Sequence, residues 1–172
     1  MIPSLAAISF AIALSATVAE ARGVYQEPAE FVREAFGGRP PASQVLWITD
    51  DILREIETVL GHPLSQKRVR YWRADDRSVW ILDEIGKDEP ITVGVTISQG
   101  RLERVNVLVF RESRGDEVRY PAFTRQFSGA ALTPQGKLDR TIDGISGATL
   151  SVRALKGVAA TALVLDRHAR SQ

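Results

Sequence analysis

The sequence predicts an α+β fold built on an antiparallel sheet, and two observations lead to it. Residues 91–98 and 101–110 alternate apolar and polar side chains and are separated only by Gln99-Gly100, so they form two strands that must be antiparallel. The chain then ends in a stretch with apolar residues at helical spacing. Strand pairs followed by a terminal helix indicate α+β rather than a doubly wound parallel sheet.

The first part of the mature chain, residues 22–65, is predicted to be a helical segment. Pro28 suits the first turn of a short helix, which Gly37-Gly38 ends. Thr49 is a suitable N-cap for a second helix, and Gly61 suits the position just beyond its end. Residues 22–27 are expected to be loose. We infer no function for this segment.

The second part, residues 66–172, contains the sheet and the terminal helix. Residues 67–73 and 78–82 predict a further hairpin around a polar turn. Residues 111–118 are charged and predict a loop, and residues 121–127 predict a short helix.

Residues 1–21 differ from the rest in being almost free of charge. An apolar run is followed by Ala19-Glu20-Ala21, which fits the small-x-small rule for signal cleavage after Ala21. The segment carries no Lys or Arg, so an uncleaved anchor is the alternative. The chain has no cysteine, which suits a bacterial periplasm. A net charge of +1 with scattered arginines gives no reason to expect nucleic acid.

The segment 143–151 is small, hydroxyl-rich and interrupted by glycine, and it directly precedes the terminal helix. A short Gly-Ala turn at a helix start presents unpaired backbone N–H groups and the positive end of the helix dipole. Such a turn suits a phosphate group. The hydroxyl of Thr149 either carries a phosphate covalently or caps the helix.

The string Asp143-x-x-Ser146-Gly147-Ala148-Thr149-x-Ser151 resembles the flavinylation motif of FMN-binding domains. These domains occur in the C subunit of the sodium-pumping NADH:quinone oxidoreductase, in the G subunit of the Rnf complex and in many small extracytoplasmic proteins. The resemblance implies a twisted antiparallel sheet with packed helices, FMN as the cofactor, and Thr149 as the residue to which a flavin transferase, dependent on FAD and magnesium, esterifies the FMN phosphate.

The resemblance also implies roles for the residues around Thr149. Gly147 permits unusual backbone angles and Ala148 adds little bulk, so a transferase can enter the turn. Asp143 orients the turn or aids recognition, or it bonds its own backbone. Ser146 and Ser151 donate to phosphate oxygens or satisfy orphan amides at the helix start.

Three further positions are cofactor neighbours by the same resemblance. Glu112 and Gly115 belong to a loop that in relatives reads Glu-Thr-Pro-Gly and contacts the isoalloxazine ring, although Arg114 replaces the proline here. Phe127 packs near the flavin or in the core. A larger aromatic group either stacks on the ring or packs in the sheet, and it consists of Tyr71, Trp72 and Trp80.

The sequence contains no nucleophile elbow, Walker loop or metal-ligand spacing, so we assign no catalytic residue and no metal. The leading hypothesis is an exported electron-transfer flavoprotein whose partners are redox proteins such as a membrane oxidoreductase or a haem protein. The alternatives are a flavin-dependent reductase of a small acceptor and a non-redox binding or sensory module.

Overall fold

A computed structural model describes residues 23–172, so the predicted signal segment, residues 1–21, lies outside the described residues. The described chain forms five strands, β1–β5, at Ser43–Trp47, Arg68–Ala74, Arg77–Ile85, Pro90–Ser98 and Arg101–Phe110. It also forms four α-helices, α1–α4, at Pro28–Ala35, Asp50–Leu60, Pro121–Thr124 and Thr149–Arg170. Two 3-10 turns flank α3, at Asp116–Arg119 and Arg125–Phe127.

The five strands form one open antiparallel sheet in the order β1-β2-β3-β4-β5. Each strand pairs with the next along the chain, and β4 and β5 pair from Ile91 and Phe110 to Ser98 and Arg101 with two shifts of register. This arrangement confirms the α+β prediction. The tight Gln99-Gly100 connection places β4 and β5 side by side, as the alternating pattern predicts.

Helix α4 covers one face of the sheet and forms the main core with it. Its inward residues pack against apolar side chains of β3, β4 and β5, and the largest fully buried ones include Trp80, Ile91, Ile97, Leu102, Leu155 and Leu165. None of the helices between residues 23 and 172 is both long and apolar enough to cross a membrane.

Helix α1 covers part of the opposite face of the sheet. Phe31 and Val32 are buried there against Val79 and Leu108. Phe31 lies directly over Gly94, where a Cβ atom would come within 2.6 Å of its ring. The sheet therefore has a second, smaller core that the apolar face of a short helix completes.

The segment predicted to be helical, residues 22–65, also contains strand β1. This strand pairs with β2 and forms one edge of the sheet. Helices α1 and α2 lie close to their predicted bounds, with Thr49 capping α2 at the backbone N–H of Ile52 and Gly61 in the left-handed conformation beyond its end.

Residues 23–27 are not loose, contrary to expectation. The N–H of Tyr25 donates to the Leu108 carbonyl at 2.8 Å, and the N–H of Phe110 donates to the Gly23 carbonyl at 2.8 Å. A bridge between Val24 and Val109 completes the contact. The described residues before α1 thus lie along the outer edge of β5 and satisfy its backbone groups.

A buried polar network fixes the second half of α4 to the sheet. Asp166, which is 1% exposed, accepts hydrogen bonds through Oδ1 from Arg73 and Ser78, both at 2.6 Å. Ser78 Oγ in turn accepts from the indole N–H of Trp80 at 2.9 Å. Arg170 lies 3.0 Å from the other carboxylate oxygen. The network holds α4 in register with β2 and β3.

Candidate functional site

The segment 143–151 forms an exposed turn that leads directly into α4. The N–H of Ala148 donates to the Ile145 carbonyl at 3.0 Å, which closes a four-residue turn. Gly147 occupies its third position with a φ of +83°. Only glycine adopts this conformation at little cost. A Cβ at Gly147 would meet no atom within 4 Å, so the space beside this position of the turn is open.

Helix α4 begins without a capping side chain from the described residues. Ala148 is the N-cap, and the first intrahelical bond runs from the Val152 N–H to the Ala148 carbonyl at 2.9 Å. The earlier N–H groups of the helix are free to bind an anion, and no acidic residue lies in the first turn. The helix start therefore has the electrostatic character that favours a phosphate.

Thr149 is the first residue of α4, and its side chain is exposed. The cap interpretation of Thr149 is wrong, because the N-cap position belongs to Ala148. Ser146 is exposed in the preceding turn, whereas Ser151 is only 4% exposed and points inward. Among the hydroxyls of the motif, those of Thr149 and Ser146 are accessible to a modifying enzyme.

The loop after β5 contacts the motif through Gly115. This residue has a φ of +88°, and a Cβ built on it would lie 2.6 Å from Ser151 Oγ and 3.5 Å from Ala148 Cβ. The backbone of the loop can approach the helix this closely only without a side chain. The fold therefore brings together Gly115, Ala148 and Ser151, three of the residues that the sequence singled out.

Glu112 lies in the same loop but is directed at another part of the chain. Its Oε1 accepts hydrogen bonds from the backbone N–H groups of Lys87, of Asp88 at 2.7 Å and of Glu89 at 3.0 Å. Desolvation alone would raise the pKa of Glu112, but the three N–H donors outweigh it and hold that pKa below its usual range. Glu112 thus braces the turn between β3 and β4.

The segment before the motif contacts it through Gln126 and enters the core through Phe127. Gln126 Oε1 accepts a hydrogen bond from the Asp143 N–H at 2.7 Å. Phe127 is fully buried and packs edge-to-face on Phe123, with ring centroids 5.6 Å apart. The structure thus places Phe127 in the core, one of the two locations that its sequence context allows, and leaves the side chain of Asp143 exposed.

The aromatic group of β2 and β3 belongs to the sheet. Trp80 is fully buried, Tyr71 is 4% exposed, and their rings stack 4.6 Å apart. Trp72 is half-buried beside the core under α1. Ordinary sheet packing is therefore their role, and stacking of Tyr71 or Trp80 on an exposed ligand is excluded by burial.

Arg153 is a candidate site residue that lies outside the sequence motif. It is exposed one helical turn after Thr149 and therefore shares its face of α4. No ion pair within residues 23–172 engages it. The i, i+4 spacing from Thr149 was the signal available in the sequence.

His62 and Glu84 form a hydrogen-bonded pair. His62 Nε2 is 2.8 Å from Glu84 Oε1, and this hydrogen bond, with a smaller contribution from the Pro63 carbonyl, raises the pKa of His62. The charge of Arg153 acts in the opposite direction and lowers the pKa of His62.

Residues 86–164 match the family model described as FMN-binding domain. The chain contains an FMN-binding domain. FMN is accordingly its cofactor, and the protein is a flavoprotein. No curated protein matches the chain. The match is to the family as a whole, so the similarity to the sodium-pump and Rnf subunits stays a prediction.

The FMN-binding domain, as matched, starts in the turn before β4 and ends within α4. It includes the β4–β5 hairpin, the Gly115 loop and the 143–151 turn. Strands β1–β3 and helices α1 and α2 lie outside the matched range, although β3 pairs with β4 in the same sheet.

The residues of the domain fit FMN in chemistry as well as in sequence. The helix start offers N–H donors to a phosphate, Arg153 offers a positive charge, and Thr149 offers an exposed hydroxyl. Gly115 lets the loop after β5 pack directly against Ser151 beside the helix start. These features would hold the phosphate end of the cofactor.

Proposed function

We propose that this protein is an exported flavoprotein that carries FMN as a phosphodiester on Thr149 and passes electrons between partner proteins outside the cytoplasm. One observation carries the proposal. Thr149 presents an exposed hydroxyl at the first position of a helix whose N-terminal N–H groups no side chain of the described residues caps. A covalently bound phosphate at that position would complete the helix start.

Three groups would hold the phosphate there. The backbone N–H groups at the start of α4 donate hydrogen bonds, and the helix dipole adds a favourable field. Arg153 supplies a full positive charge one turn along the same face. The Gly147 turn keeps the surface open for the enzyme that makes the bond.

The protein would be the substrate of the attachment reaction, since a threonine hydroxyl is a weak nucleophile until a base activates it. We propose a flavin transferase that uses FAD and magnesium. The Thr149 hydroxyl forms a new bond from Oγ1 to the phosphorus of the FMN half. The anhydride bond of FAD breaks, AMP leaves, and the hydroxyl proton passes to a base of the transferase.

The role in electron transfer follows from the tether and the cofactor. FMN supplies reversible uptake and release of electrons, and the protein supplies binding and orientation. A covalent bond prevents loss of the cofactor outside the cytoplasm. The proposed partners are the flavin transferase and redox proteins, among them a membrane oxidoreductase or a haem protein.

Mass spectrometry of protein co-expressed with a flavin transferase tests the attachment. We expect a mass gain of one FMN less one water, located on the peptide that contains Thr149. Thr149→Val should abolish it, whereas Ser146→Ala, a matched change to the other exposed hydroxyl of the turn, should leave it intact. Flavin on Ser146, or an unmodified chain in cells that flavinylate other proteins, would overturn the proposal.

Two further measurements separate the remaining alternatives. The mass of the mature protein shows whether cleavage occurs after Ala21, as export with a cleaved signal requires. Turnover of a soluble acceptor by the flavinylated protein alone would favour the reductase alternative over the relay of electrons between proteins.

A further inference from the structure

An exposed group of aromatic and charged residues lies beside the start of α4. The guanidinium carbon of Arg119 is 4.4 Å from the ring centroid of Tyr25 and 4.3 Å from that of Tyr120. The two tyrosines remain 43% and 46% exposed. We call these three residues the tyrosine–arginine stack. Neither the core nor the phosphate-binding features described above use it.

Hydrogen bonds hold the stack in one arrangement. Arg119 Nε donates to Asp116 Oδ2 at 3.2 Å, and a terminal nitrogen of Arg119 donates to the Tyr120 hydroxyl at 2.9 Å. Tyr25 is fixed from the other side, because its backbone N–H is bonded to β5. Exposed aromatic side chains that are oriented in advance lose little entropy when a planar ligand stacks on them.

The stack is joined to the covalent site through a short rigid connection. Gly115, which packs on Ser151, starts the 3-10 turn Asp116–Arg119, and Tyr120 follows immediately. Four residues of 3-10 helix rise only about 8 Å. The stack therefore lies within a distance from the start of α4 that is comparable to the length of FMN itself.

We propose that the exposed face of Tyr120 seats the isoalloxazine ring of the FMN attached at Thr149, with Arg119 as the residue that holds Tyr120 in position. This inference rests on the proposed function. Flavin rings are planar and electron-poor, and tyrosine rings are electron-rich, so the two favour offset stacking. The Arg119 charge next to the ring favours the electron-rich, reduced form of the cofactor.

Flavin fluorescence of the holoprotein tests this placement. A tyrosine in contact with an excited flavin quenches it by donating an electron that returns to the tyrosine, so no net oxidation occurs. We expect weak fluorescence in the native protein and a rise on unfolding. Tyr120→Leu should raise the native yield, because loss of one aromatic pair lowers the stacked-to-unstacked ratio roughly two- to tenfold.

The controls separate the ring placement from the covalent bond. Tyr120→Phe keeps the aromatic face but removes the electron donor, so it should keep the circular dichroism of the flavin band and lose the quenching. Arg119→Gln should weaken both signals through loss of orientation. Trp47→Leu removes an aromatic that is 61% exposed on the opposite edge of the sheet, and it should change nothing. FMN loading, measured by mass on each variant, should stay at the wild-type level.

The outcomes are distinct. An unchanged native yield in fully loaded Tyr120→Leu protein would overturn the ring placement and leave the bond to Thr149 intact. A rise in Tyr25→Leu but not in Tyr120→Leu would overturn the choice of Tyr120. Absence of covalent FMN from the wild-type protein would instead overturn the proposed function. The circular dichroism of the flavin band provides a second measure of ring immobilisation.

Discussion

The contact between Gly115 and Ser151 yields the sharpest prediction, for the substitution Gly115→Ala. The new Cβ atom would lie 2.6 Å from Ser151 Oγ, closer than unbonded heavy atoms approach, and Ser151 is only 4% exposed and has little room to move. The backbone at Gly115 is also left-handed, with a φ of +88°. The steric overlap and the left-handed backbone therefore each lower the free energy of unfolding of the variant, and their effects add.

The magnitude of each cost follows from the geometry. A left-handed alanine costs about 1–2 kcal/mol relative to glycine. Overlap in a packed site adds about 1–3 kcal/mol. Gly38 is a matched control, because it has the same φ of +88° and a Cβ there would meet no atom within 4 Å. Gly38→Ala should show only the backbone cost of about 1–2 kcal/mol.

Urea unfolding monitored by circular dichroism measures both losses by linear extrapolation. Removing Ser151 Oγ should recover the overlap cost, because Ser151 Cβ and Ala148 Cβ lie 3.5 Å from the new Cβ, an ordinary contact distance. The double variant Gly115→Ala/Ser151→Ala should thus be more stable than Gly115→Ala. Equal losses for the Gly115 and Gly38 variants, or no recovery in the double variant, would refute this account of the site.

Three further predictions concern polar contacts. Asp166→Ala should cost about 3–5 kcal/mol in urea unfolding, since it leaves buried charge unpaired, whereas exposed Asp88→Ala should stay within about 0.5 kcal/mol. Glu84 raises the pKa of His62 above 6.5, so the pair stabilises the fold below that pH and the contribution is lost as pH rises through the folded-state pKa. Glu84→Gln should therefore lower the melting temperature at mildly acidic pH and not at alkaline pH; an equal loss at both would exclude the linkage. Because the pKa of Glu112 is depressed, its ionised carboxylate stabilises the fold above pH 4.5, and this contribution is lost on acidification. Glu112→Gln should therefore be less stable than wild type at neutral pH, and the difference in stability should close in acid. A difference that persists in acid would contradict this.

Much of the fold was predictable because its elements carry local signals. The alternation in β4 and β5, the Thr49 cap and Gly61 end of α2, and the apolar face of α4 each depend on residues near one another in sequence. The short strand β1 was not predictable in this way. It buries only Leu46 and exposes Val45 and Trp47, so its apolar residues do not indicate a strand. Pairing with β2 is what stabilises it.

The candidate site also combines features that the sequence predicts with features that depend on tertiary contacts. The turn, the helix start and the hydroxyl of Thr149 follow from residues 143–151 and their chemistry. The aromatic group around Trp80 had two interpretations, and burial in the two cores of the sheet decided for packing. The sequence does not predict that Glu112 binds the turn between β3 and β4, because its three partners lie more than twenty residues away.

The amino-acid sequence by itself determined the antiparallel hairpin, the terminal helix and the small, hydroxyl-bearing turn before it, since these depend on backbone preferences and side-chain chemistry within a few residues. Only the tertiary structure decided that Gly115 lies against Ser151, that Arg153 is left without an ion-pair partner in residues 23–172, and that Tyr25 meets Arg119. Such contacts arise when distant segments bury apolar surface together, and the hydrophobic effect that drives this burial has no direction along the chain.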